Sequence, residues 1–257
     1  MNEARNPSSR PGPLALVGGD ELNPGNEPQD EVLVAAAKGG PAFVLATAAG
    51  RQRPDLAVRN ARAWFKGLGL DVEELPAIRR SDVSSARTAE LARAGRFFYL
   101  VGGDPGLVPK TLADTTLWDA IVETWRDGAA LAGSSAGAMA LGEWILIRDR
   151  RPGDAQRRYR PALSIVPRIA VIPHFDRFGE RWVDGGAGRR SPGRCRPRGR
   201  RRALGRALAG RWMAGLRAGR CHDHHALEPA PVRLGRAARG DPAAGRVALR
   251  VTGSSVE

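Results

Sequence analysis

The sequence predicts an α/β fold with a mostly parallel sheet and helices on both faces. Three observations carry that reading: short apolar runs recur along residues 14–184, stretches of helical spacing separate them, and turn residues close them. A chain of 257 residues suits one such domain or two small ones and is long enough to bury a core. Leu14-Ala15-Leu16-Val17 reads as a strand ending at Gly18-Gly19-Asp20, and Asp30 to Lys38 as the helix after it. Phe43 to Thr47 is a second strand. Asp55 to Leu68 follows as a helix, with Leu56, Ala57, Ala61, Trp64, Phe65 and Leu68 at helical spacing and Gly67 and Gly69 stopping it. Asp71 to Leu75 begins a third strand, and Thr88 to Ala94 is helical. Phe97 to Val101 is a strand, Leu117 to Arg126 a helix, and Ala129 to Ala132 and Ile169 to Pro173 are further strands.

In a sheet of this kind the loops at the carboxyl ends of the strands hold the site. Function is therefore sought in the turns after Val17, Thr47, Val101 and Ala132. Gly18-Gly19 and Gly102-Gly103 lack the GxGxxG spacing of a dinucleotide site, and no phosphate-loop lysine motif occurs.

One turn carries the signature of a nucleophile. Ala129 to Ala132 runs into Gly133-Ser134-Ser135-Ala136-Gly137, where Gly133 and Gly137 flank Ser135 as G-x-S-x-G. Such a turn, passing sharply from strand to helix, holds a hydroxyl clear of the backbone. The small residues also fit a tightly packed turn without chemistry, so the pattern gains weight from its neighbours. Gly102-Gly103-Asp104 ends the preceding strand, and the N–H groups of Gly103 and Ala136 are placed to share an oxyanion hole. Of the four histidines only His174 lies outside the last quarter of the chain, at the end of a strand, where a general base belongs.

Taken together, Val17-Gly18-Gly19, Leu100 to Asp104, Gly133 to Ala138 and Pro173-His174-Phe175 resemble the cyanophycinase and dipeptidase E serine peptidases of the class I glutamine amidotransferase-like superfamily. The resemblance covers about residues 14–184. It implies a flavodoxin-like sheet, Ser135 as nucleophile, His174 as base, no cofactor or metal, and hydrolysis of small peptides or isopeptides near an aspartyl residue. Amidotransferases of the superfamily use cysteine; the serine here argues against glutamine hydrolysis. For the third member of a triad the resemblance leaves alternatives. Dipeptidase E-like members place an Asp between Ser and His, as Asp149 stands here, with Asp154 second. Cyanophycinase-like members use a Glu after the His in a motif similar to Gly-Val-Asp-Glu, which this sequence lacks. Asp176 adjoins His174 and is read as serving locally.

The charge is divided unevenly. The formal net charge is +14; residues 1–184 hold 24 Lys and Arg against 23 Asp and Glu, whereas 185–257 hold 17 Arg, no Lys and 4 acids, a net of +13. That last segment has 13 Gly and 13 Ala and no Ile, Phe or Tyr, little with which to build a packed layer. Three domains are accordingly expected: a flexible leader over 1–13, the α/β hydrolytic unit over 14–184, and an Arg-, Gly- and Ala-rich tail over 185–257. The tail reads as disordered or as the product of a shifted reading frame. Cys221 to His225 must be encoded TGY CAY GAY CAY CAY, which one nucleotide on gives a strand-forming run of Val or Ala, Met or Thr, and Ile or Thr. On that reading the sheet lacks its C-terminal strands. The rival reading is an impaired or binding-only relative whose basic tail contacts nucleic acid. Cys221, His222, Asp223, His224 and His225 are ligand types, but their spacing fits no zinc module. Arg148, Arg150 and Arg151, after the nucleophile turn, read as a solvated cluster that an acidic substrate could also meet.

Two cysteines are too few for a disulfide framework. The longest apolar runs fall far short of the roughly 18–20 residues of a membrane span, and residues 1–13 have no apolar stretch of a secretion signal. A cytoplasmic protein acting on a small peptide or isopeptide, without membrane contact, is expected; a homodimer is left open.

Overall fold

The computed structural model describes residues 10–148 and 157–175, and the backbone of 214–217. The chain runs β1 (Leu14–Val17), α1 (Glu27–Ala37), β2 (Ala42–Leu45), α2 (Pro54–Gly67), β3 (Glu73–Glu74), α3 (Arg80–Val83), α4 (Ala86–Ala94), β4 (Phe97–Leu100), α5 (Leu107–Leu112), α6 (Thr116–Arg126), β5 (Ala130–Ser134) and α7 (Ala136–Leu141). The five strands form one sheet in the order β1-β5-β4-β2-β3, and every neighbouring pair is parallel. This is the flavodoxin-like arrangement expected from the sequence.

Alternation along each strand divides the core in two, because successive side chains point to opposite faces. Ala15, Val17, Val44, Phe97, Tyr99 and Ala132 pack with Leu33 and Ala37 of α1 and with Val58, Ala61 and Phe65 of α2. Leu14, Leu16, Phe43, Leu45, Phe98, Leu100 and Leu131 pack on the other side with α4, α5, α6 and α7. Both faces being covered, the strands read as continuous apolar runs. Phe65 stands edge-on to Phe97 and Tyr99, with ring centroids 4.9 and 5.2 Å away.

Local chemistry adjusts the expected boundaries. Pro28 lies in the first turn of α1, which therefore opens at Glu27 and not at Asp30. Thr47 leaves the second strand: it opens a 3-10 turn, Thr47–Ala49, and its hydroxyl donates to Ala77 O at 2.8 Å. The third strand shrinks to two exposed glutamates at the sheet edge. Thr115 caps α6, its hydroxyl accepting from the Trp118 N–H at 3.2 Å.

A second sheet follows: β6 (Gly142–Arg148), β7 (Arg157–Pro161), β8 (Val166–Ile172) and β9 (Ala214–Arg217), in the order β7-β6-β8-β9. Of residues 185–257 only β9 is described, paired antiparallel with β8. On the β6–β7 hairpin Arg148 stands opposite Arg157. Burial, and then the Arg148 charge, lower the Arg157 guanidinium below its usual pKa. Arg148 is exposed at the end of β6, while Arg150 and Arg151 lie outside the described residues.

Candidate active site

Four loops meet at the carboxyl end of the main sheet. The tightest is the turn from β5 into α7. Ser135 adopts φ 47° and ψ −107°, a conformation a residue with a side chain holds only when its surroundings fix it. Two glycines make that possible. A Cβ on Gly133 would stand 2.6 Å from the Gly137 backbone, and one on Gly137 would overlap Leu100 O. The spacing that singled out Ser135 is thus a requirement of close backbone packing on either side of it.

His174 arrives from the second sheet, two residues beyond β8. Its N–H donates to Gly18 O at 2.8 Å, while the Ser135 N–H donates to Val17 O at 2.9 Å. Two residues 39 apart in sequence are therefore fixed to adjacent carbonyls at the end of β1. Their side chains meet: Ser135 Oγ lies 3.1 Å from His174 Nε2, within hydrogen-bond reach of a base. Both residues are half-buried.

Gly19 makes room for the imidazole. Its φ is 135°, and a Cβ there would overlap Cε1 and Nδ1 of His174. The sequence reading recognised Gly18-Gly19 as a strand-ending turn but not as the floor beneath the histidine; the glycine pair after a first strand was the available signal.

The loop after β4 completes the surround. The Asp104 N–H donates to Ala48 O at 2.7 Å, and the Asp104 carboxylate accepts from the Gly106 N–H at 3.0 Å and lies 3.5 Å from Arg51. Gly103, with φ 146°, is pressed against Ala48, where a Cβ would not fit. Gly102 faces the nucleophile: the point where its Cβ would stand is 3.3 Å from Ser135 Cβ. Ala136 is the first residue of α7, so its N–H has no acceptor within the helix. Ser135, Gly103 and the first residue of α7, Ala136, thus lie at this end of the main sheet, and His174 reaches it from the end of β8 in the second sheet. Asp149, Asp154 and Asp176 lie outside the described residues, as do Cys221 to His225. Among the described residues no cluster of three His, Cys, Asp or Glu side chains is arranged to hold a metal ion, and no helix is long and apolar enough to cross a membrane.

A parallel α/β sheet with a serine and histidine joined at its carboxyl edge defines a class, the serine hydrolases. Residues 14–186 match peptidase family S51, the peptidase E and cyanophycinase family, and the chain belongs to it. It is similar to the crystal structure of a peptidase from an acI-B1 Actinobacterium, with 30% identity, a TM-score of 0.61, and coverage of 69% of this chain and 74% of that one. A Listeria monocytogenes EGD-e structure assigned to peptidase E shares the fold at 21% identity and a TM-score of 0.53, over 68% of this chain and 86% of that one. No curated protein matches. The chain is therefore a peptidase, as the motifs led one to expect.

Proposed function

We propose that the protein hydrolyses small peptides or isopeptides next to an aspartyl residue, of the aspartyl-dipeptide or cyanophycin type, through an acyl-enzyme on Ser135. What supports this is the 3.1 Å contact between Ser135 Oγ and His174 Nε2, made at the carboxyl ends of the strands. In this mechanism His174 Nε2 takes the hydroxyl proton as Oγ bonds to the carbonyl carbon. The N–H groups of Gly103 and Ala136 hold the oxyanion while the tetrahedral intermediate forms. Its collapse breaks the C–N bond, and His174 gives the proton to the departing amine. Water, deprotonated by His174, then releases the acid and restores Ser135. Asp149 is the proposed carboxylate partner that orients His174. The steps close with protein groups alone and call on no cofactor or metal. The reading places the activity in the cytoplasm.

The test is turnover of aspartyl dipeptides and β-aspartyl peptides by the full chain. Ser135→Ala and His174→Ala are each expected to lower kcat by about 10³-fold or more, with the double variant hardly worse than either, because the pair acts as a unit. Undiminished turnover by Ser135→Ala refutes the assignment. Asp149→Asn should lower kcat while leaving KM nearly unchanged; an unaffected kcat removes Asp149 from the triad.

A further inference from the structure

The loop between β1 and α1 is built with more care than a connection needs. Asn26 is buried at its base, and its carboxamide donates to Asp20 O at 2.8 Å and Asn23 O at 2.9 Å. Gln29, also buried, donates to Asn26 Oδ1 at 3.0 Å, and the Asn23 carboxamide donates to Glu21 O at 2.9 Å. Asp20 and Leu22 are both held at positive φ, 52° and 57°. Glu21 sits between them.

Its carboxylate reaches the nucleophile's surroundings. Glu21 Oε1 lies 2.9 Å from the point where a Cβ on Gly102 would stand, the same point that lies 3.3 Å from Ser135 Cβ. Among the described residues none bonds or pairs with this carboxylate. It lines a cavity of about 630 Å³ whose wall also includes Asn23, Asn60, Trp64 and Gly102. The Trp64 indole N–H donates to Asp30 Oδ2 at 2.8 Å, which fixes that ring in the wall.

We propose that this cavity is a subsite for a positively charged group of the substrate, a guanidinium or an ammonium, with Glu21 as its counter-charge. The proposal rests on Ser135 being the nucleophile, since it is proximity to Ser135 that makes the cavity part of a substrate site. The chemistry favours a cation over other occupants. A carboxylate only accepts hydrogen bonds, two carboxamides add carbonyl acceptors, and an indole attracts cations to its face. The volume falls in the range of small-molecule pockets and admits a side chain as long as that of arginine. Such a cation has two sources, the substrate's free α-amino group or a basic side chain.

Binding measured without turnover separates them. In the full-length Ser135→Ala chain, calorimetry would compare aspartyl-arginine, aspartyl-citrulline and the N-acetyl form of each, with Glu21 intact and with Glu21→Gln. Loss of a charge-assisted contact should weaken the cationic peptide about tenfold or more, and leave its neutralised counterpart within about twofold. If citrulline abolishes the dependence on Glu21, the cavity takes the side chain; if acetylation does, it takes the α-ammonium. Glu21→Asp, which keeps the charge, should lose less than Glu21→Gln. Equal weakening of all four peptides, no weakening of any, or no binding of any overturns the subsite. An intact chain that binds with this pattern yet hydrolyses none of the peptides would instead sink the peptidase reading of Ser135.

Discussion

Ser135 and His174 both hold the left-handed backbone, φ 47° and 48°, which side chains normally avoid. Each donates its own N–H to a carbonyl, Ser135 to Val17 at the end of β1 and His174 to Gly18 just after it, and the histidine ring rests over Gly19. Gly19→Ala would set a methyl where the imidazole lies and force a residue with a side chain into φ 135°. Displacing a reacting group by about 1 Å costs roughly 10²-fold in rate, so kcat/KM should fall by about that much while circular dichroism stays that of the folded protein. Retained activity would mean that the ring does not depend on this floor. Ser135 was legible because G-x-S-x-G encodes a local turn, and His174 because it was the one histidine at a strand end outside the tail. Gly19 and Glu21 were not, because their roles arise where residues distant in sequence are brought alongside β1. The Asn26 and Gln29 side chains bond only three to six residues away, yet no periodicity marks them as loop anchors.

Elements buried on two faces announced themselves. β1, β2, β4 and β5 are continuous apolar runs because helices cover both sides of the sheet, and the sequence reading found all four. The β6–β7 hairpin was missed since β7 interleaves arginine with tyrosine and leaves most of its residues exposed. α5 was missed because it is six residues long with Pro109 in its first turn, where a missing N–H does no harm. β3 was overextended: only Glu73 and Glu74 pair with β2, although Val72 and Leu75 beside them are buried. The docking of α2 shows what burial contributes. Phe65 is fully buried against Phe97 and Tyr99, and Phe65→Ala should destabilise the fold by about 3–5 kcal/mol. Denaturant unfolding measures this; a loss below about 1 kcal/mol would mean that the α2 face is not packed as described.

Across the whole molecule, charge and fold part company. Residues 14–186 match the family, yet a net of +13 sits in residues 185–257 against +1 in residues 1–184. A polyanion surface should retain the full chain and release it steeply as salt rises, whereas a chain ending at residue 184 should elute at far lower salt. Equal elution of the two would show that the basic segment is neutralised within the protein. The overall α/β class was legible from the alternation of strand and helix, and the second sheet was not, because its strands come from three separated stretches. Within that architecture β1 has a role its four residues do not advertise. The carbonyls of Val17, which ends β1, and of Gly18, which follows it, serve as a common datum for two residues delivered by different sheets. Sliding one sheet past the other would have to break one of these two backbone hydrogen bonds before it could separate Ser135 from His174. On warming, activity should accordingly persist until β1 itself gives way, and catalytic loss and amide exchange at the end of β1 should share one transition.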